Sequence, residues 1–240
     1  MALPGVFPSS VREGSLTEYY ERLMQHFGPQ GWWPARTRME VILGAILTQN
    51  TAWQNASLAV KRLRRSGLLK LENLRLASLG EIEACIRQAG FFRQKAATIR
   101  RFVECLDSKH QGSLRELFSV HPRELREHLL EIKGMGPETV DAILLYAGRM
   151  PFFVADAYTR RILSRHGWLV PGAAYEAAQE LLHQELPRDA RTFNEFHALL
   201  VETGKRYCRR QAPRCQECPL RKYLPGGQES VEPPAPPCVN

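Results

Sequence analysis

Ile132-Lys133-Gly134-Met135-Gly136-Pro137-Glu138-Thr139, followed within a helix and a short loop by Val154-Ala155-Asp156, decides the fold. Upstream, Leu125, Leu129, Leu130 and Ile132 fall at helical spacing; downstream, Val140, Ile143, Leu144 and Ala147 supply the apolar face of a second helix. Between them, Gly134 and Gly136 can take left-handed dihedrals at no steric cost, which lets one helix stop and the next begin. Pro137 suits a first helical position, where its missing N–H is not needed. The segment predicts a helical hairpin with bare amides at a helix N-terminus and Lys133 beside them, an arrangement suited to a phosphate. A Gly-x-Gly turn between helices is common, and alone it is more often just a turn.

Further stretches add to it in order. Pro151-Phe152-Phe153-Val154-Ala155-Asp156 leads into the arginine-rich run Ala157-Tyr158-Thr159-Arg160-Arg161-Ile162-Leu163, where Asp156 reads as an N-cap. Far upstream, Arg38 to Thr51 reads as a buried helix ending in a polar cluster that includes Gln49. Gly90-Phe91-Phe92-Arg93-Gln94-Lys95-Ala96 places Arg93 and Lys95 to meet phosphates. Cys208-x6-Cys215-x2-Cys218 closes the series. Singly, Gln49 is a helix C-cap, Phe91 ordinary core and Asp156 a structural cap. Together, over roughly residues 16–218, the ordered set resembles the helix-hairpin-helix DNA glycosylase superfamily, and within it the endonuclease III family.

The resemblance implies an all-α fold of two helical domains, the second carrying a cysteine loop, and a base-excision-repair DNA glycosylase acting on double-stranded DNA with damaged bases. Gln49 would enter the gap left by an extruded base and Phe91 would wedge into the stack, while Lys133, Gly134 and Gly136 anchor the backbone. Asp156 would stabilise the oxocarbenium-like cation or activate the water that captures it. In bifunctional relatives a lysine stands where this chain has Glu138, and a carboxylate cannot form an imine. Glu138 would contact the base or assist the water; its plain alternative is an acid favouring a helix N-terminus. Asp156 and Glu138 are expected to face one cavity in a cleft between the domains. Trp32-Trp33-Pro34 and Trp53 resemble the 3-methyladenine branch, whose aromatic pocket favours a cationic alkylated purine by about 1–2 kcal/mol. The alternative is that the tryptophans anchor the core.

The family's cysteine loop holds a [4Fe–4S] cluster through a fourth cysteine, whose slot here is Leu224. Cys238, in the tail, is the candidate replacement, and lengthening that loop costs on the order of 1 kcal/mol in closure entropy. A three-thiolate cluster with an outside ligand, a zinc site and no metal at all are the alternatives. Cys85 and Cys105 sit in apolar helical contexts and read as plain core.

Composition agrees. The 240 residues are 44% hydrophobic with a net charge of +8, enough for one large core or two modest ones and suited to a polyanionic partner. No alternating strands, membrane-spanning run or signal-peptide layout is evident. The expected protein is a monomer and cytoplasmic, nucleoid-associated in a bacterium. Six cysteines in such a chain argue for metal over disulfides. The expected organisation is a leader (1–14), a domain over 31–148 ending in the hairpin, a second domain from 15–30 plus 149–224, and a Pro-rich tail (225–240). Two other functions stay open. One is an oxidised-pyrimidine glycosylase with weak strand cleavage; the other is a non-catalytic binder of DNA structure, against which Asp156 argues.

Overall fold

Helix starts follow the capping chemistry of the sequence. In the computed structural model, which describes residues 4–8 and 11–227, Ser15 opens α1 (Leu16–Phe27) with a capping box. Its hydroxyl accepts from the Glu18 amide while the Glu18 carboxylate accepts from the Ser15 amide. Thr37 caps α2 (Arg38–Leu47) by accepting from the Glu40 amide. There follow α3 (Trp53–Arg65), α4 (Leu71–Leu76), α5 (Leu79–Ile86), α6 (Phe92–Lys109), α7 (Leu114–Leu117), α8 (Pro122–Leu130), α9 (Pro137–Ala142), α10 (Ala157–Arg165), α11 (Tyr175–Glu185) and α12 (Ala190–Arg206). Among the described residues extended pairing is limited to an isolated antiparallel bridge, Val6 to Leu169, so the fold is all-α. No helix among them is long and apolar enough to cross a membrane.

The chain divides into two units. One takes the described residues up to Trp32, Ala155–Arg188 and the described residues from Thr192; the other is Trp33–Val154 with Asp189–Arg191. These boundaries fall a few residues later than the sequence suggests. Trp33 lays its indole against Gly44 of α2, and the Met150 amide bonds back to Leu144, which ties both segments to the second unit.

That second unit is built around α2. Apart from Arg38 and Glu40 its sequence is apolar all round, and all residues from Met39 to Leu47 are buried, as such a helix requires. α3, α6 and α9 pack around it. Ile42, Leu43, Ile46 and Leu47 are wholly buried, each worth about 1.5–3 kcal/mol of transfer free energy. Glu40 is the buried charge in this helix; it accepts from the Arg36 amide and pairs with Arg64, which offsets its desolvation. α9 runs on into a π-helical turn over Ile143–Ala147, where the Gly148 amide reaches Ile143.

In the other unit α1 buries Leu16, Tyr19 and Leu23 on one face. Tyr19 stacks on Tyr223 at 4.6 Å and meets Trp168 edge-on at 6.0 Å. Its hydroxyl lies 3.1 Å from His166 Nδ1, and burial pushes that imidazole down to about 4, so it is neutral. None of the described cysteines is in a disulfide; Cys85 and Cys105 are half-buried rather than core.

Candidate active site

The hairpin joins α8 to α9. Leu125, Leu129 and Ile132 are buried on one side and Val140, Ile143, Leu144 and Ala147 on the other. The two glycines differ. Gly134 has φ +101°, and a Cβ there would collide with Thr98 Oγ1 of α6. Gly136 is extended (φ −97°, ψ 173°), so it needs no left-handed freedom, and the space where its Cβ would project is open. Lys133 is exposed and its carbonyl accepts from Arg101 of α6. Glu138 is exposed at the start of α9.

Gln49 lies just past α2 and is stitched to this hairpin. Its amide Nε2 donates to Gly134 O at 2.9 Å and to Thr139 Oγ1 at 2.8 Å. Phe91 stands at the mouth of α6 with φ +45° and 63% of its surface exposed. A bulky residue in the left-handed region, presenting its ring to solvent, stores strain of the kind found at functional sites. Arg93 beside it is exposed, its guanidinium over the Phe92 ring.

Lys95 departs from the sequence expectation. It is 3% exposed, and its Nζ donates to Leu47 O at 2.9 Å and Ala89 O at 2.7 Å, so it does not face a phosphate. Burial lowers its pKa to about 8. Its spacing puts it on the inner face of α6, where the acceptors come from elsewhere in the chain.

Asp156 caps α10. Its Oδ1 accepts from the Thr159 amide at 2.8 Å, and its Oδ2 lies 3.6 Å from His197 Nε2 of α12, within ion-pair reach. Burial alone would raise this carboxyl, but His197 and the Thr159 amide hold it below the ordinary carboxylate range. It is therefore ionised at neutral pH and able to meet a developing positive charge. Sequence reading missed His197 because nothing at its position in α12 marks it as Asp156's neighbour. It also missed the wholly buried Asp141, held by Arg126 through bonds of 2.7 and 3.1 Å.

Trp33 and Trp53 meet edge-to-face at 5.0 Å and, with Pro34, line a cavity of about 310 Å³. Gly44 and Glu40 contribute to its wall, as do Arg36, Lys61 and Arg64. Trp32 belongs to the other unit, where Lys205 Nζ sits 5.8 Å from its ring centroid.

Cys208, Cys215 and Cys218 line one small cavity with Arg165, His166, Tyr207, Arg221 and Leu224. Arg165 Nη1 lies 3.4 Å from Cys208 Sγ. Desolvation pushes the Cys218 thiol up to about 12, and Cys208 and Cys215 add to the shift. Among the described residues no three of His, Cys, Asp and Glu gather tightly enough for a single metal ion. Leu224 occupies part of the wall with a side chain that cannot ligate, and Cys238 lies outside the described residues.

Comparison with known proteins agrees with this architecture. Residues 43–188 match the family described as HhH-GPD superfamily base excision DNA repair protein. A Methanocaldococcus jannaschii protein provisionally assigned as a DNA repair glycosylase is 38% identical over 85% of this chain and 93% of its own. Endonuclease III of Thermotoga maritima is 30% identical over 76% of this chain and 80% of its own. Among solved structures, Helicobacter pylori 3-methyladenine DNA glycosylase bound to 1,N6-ethenoadenine superposes with TM-score 0.71 and 25% identity, covering 80% of this chain and 98% of that one. An endonuclease III–DNA complex superposes with TM-score 0.75 at 21% identity, covering 88% and 94%, and speaks to the fold. The chain belongs to the helix-hairpin-helix superfamily of base-excision DNA repair proteins, as an endonuclease III-like DNA N-glycosylase.

Proposed function

We propose that the enzyme is monofunctional and releases a damaged base by hydrolysis, with an alkylated purine as substrate. The observation that carries the reading is the pair of carboxylates: Glu138 where bifunctional relatives need an amine, and Asp156 held ionised by its cap and by His197. The N-glycosidic bond breaks with its electron pair leaving on the base. The sugar carbon becomes cationic beside the Asp156 carboxylate, water adds to it, and the water's proton passes to that carboxylate. Phe91 would fill the stack and Gln49 would turn from its hairpin bonds toward the vacated position. Lys133, Gly134 and Gly136 would hold the phosphates, with Arg93 beside the wedge. An intact abasic strand is left.

The substrate class rests on Trp33 and Trp53 lining one cavity, and on the likeness to a 3-methyladenine glycosylase. Arg36 and Lys61 on the same wall favour a neutral base instead, and they support a second reading as an oxidised-pyrimidine glycosylase. Three thiols lining one cavity suit a [4Fe–4S] cluster, whose iron would offset the charge of the thiolates gathered there. When bound, the cluster supplies iron–thiolate bonds that hold the loop. Cys208, Cys215 and Cys218 would provide three of them and Cys238 the fourth.

The test is a panel of alkylated, oxidised and deaminated duplexes, scored with and without alkaline work-up and with borohydride. The expected outcome is base release from the alkylated purines, strand breaks only after alkali, and no borohydride-trapped adduct. Asp156→Asn should lower kcat at least ~100-fold while DNA affinity is kept. Robust trapping by the unmodified enzyme would refute the monofunctional reading.

A further inference from the structure

Asn50 and Phe91 are both non-glycine residues in the left-handed region, at φ +49° and +45°. Each belongs to one of the two loops assigned above to lesion engagement: Asn50 follows Gln49, and Phe91 is the wedge. Such conformations persist only where the surroundings over-determine them. The structure places the same group behind both. Lys95 Nζ donates to Leu47 O, at the end of α2 and three residues before Asn50, and to Ala89 O, at the end of a 3₁₀ turn two residues before Phe91. The Lys95 backbone amide donates to Phe91 O at 3.0 Å as well. A single buried ammonium thus caps the negative ends of two helical segments whose chains then turn out as strained loops.

We propose that Lys95 is a positioning residue that clamps the Gln49 loop and the Phe91 loop to each other, so that wedge and gap-filling glutamine enter the DNA as one preset unit. The inference rests on the reading of Phe91 as the wedge. A methionine would fill an apolar α6–α2 contact without desolvating a charge, whereas the ammonium's desolvation is offset here through its bonds to the two carbonyls, so the loops are tied by those bonds and not by packing alone. The two donated bonds also give the clamp direction. An aliphatic side chain could space the loops, but it could not draw two carbonyl ends onto one point. The two acceptors are 42 residues apart in sequence and share no other bridging side chain among the bonds described.

The proposal is tested with a duplex carrying a stable abasic analogue and 2-aminopurine in the opposite strand, whose fluorescence rises when the stack is opened. Phe91→Ala, Lys95→Met and the double variant are compared with the unmodified enzyme. Far-UV dichroism and affinity for undamaged duplex serve as controls, and Lys95→Arg is the conservative rescue. The expected result is loss of most of the fluorescence rise in Phe91→Ala and a fall of roughly tenfold in the stack-opening equilibrium in Lys95→Met. The double variant should be no worse than Phe91→Ala, with undamaged-duplex affinity in Lys95→Met within twofold of the unmodified enzyme, and Lys95→Arg should recover part of the rise. If Lys95→Met fails to fold, Lys95→Gln replaces it: its neutral amide ends one atom short of the ammonium, so the same fall is expected and a normal rise would likewise overturn the clamp. A normal rise in a folded Lys95→Met, or losses that simply multiply in the double variant, would overturn the clamp while leaving the wedge standing. An unchanged rise in Phe91→Ala would overturn the wedge reading itself, and the clamp with it.

Discussion

Gly134 is the position where backbone geometry and neighbour contact coincide. Its φ of +101° and the collision of an added Cβ with Thr98 Oγ1 act together. Gly134→Ala should destabilise the protein by about 1–3 kcal/mol and weaken duplex binding, because the hairpin can only relax by moving the α9 amides. Gly136→Ala meets open space and should keep stability within about 0.5 kcal/mol, with any loss confined to DNA affinity. Thermal melts with parallel binding isotherms on both variants check this, and equal destabilisation by the two would count against it. The sequence showed two equivalent glycines, since spacing carries no dihedral. It likewise showed Lys95 as one more surface cation, because its carbonyl acceptors come from segments that only the fold brings near. His197 was invisible for the same reason. Asp156, by contrast, was legible from its cap position and the apolar loop before it, both local features.

At the scale of elements, α6 is the strut of the loops proposed to engage DNA in its unit. Its first turn carries Phe91's carbonyl and the Lys95 ammonium; its second and third turns set Thr98 under Gly134 and Arg101 on the Lys133 carbonyl. α2 was readable as a buried helix from its apolar run. The π-helical turn after α9 was not readable, for its Ile-Leu-Leu sequence suits an α-helix equally well. The cysteine loop makes a separate prediction. Cys208→Ser, Cys215→Ser and Cys218→Ser should each abolish iron and the associated visible absorption and lower Tm by several degrees. Cys238→Ser discriminates: iron content at the level of the unmodified protein would exclude the tail from ligation, since Leu224 offers no donor in its place.

Across the whole molecule the net charge of +8 makes association with a polyanion salt-dependent irrespective of lesion. Lys133→Ala should weaken damaged and undamaged duplexes alike and flatten the log K against log[salt] slope by about one unit. A loss confined to damaged DNA would remove Lys133 from the backbone anchor. The two-unit division also bears on how the chain is made. One unit is all but continuous, its helices α2 to α9 lying between Trp33 and Val154, whereas the other draws on segments from both sides of it. During synthesis the continuous unit has nearly all its residues once Val154 has emerged and can fold on the ribosome. α1 cannot. Its buried face of Leu16, Tyr19 and Leu23 has to wait for Trp168 and Tyr223, about 150 and 200 residues later in the chain. Through that interval its apolar residues have no partners to bury them, which makes it the segment a nascent-chain chaperone would hold.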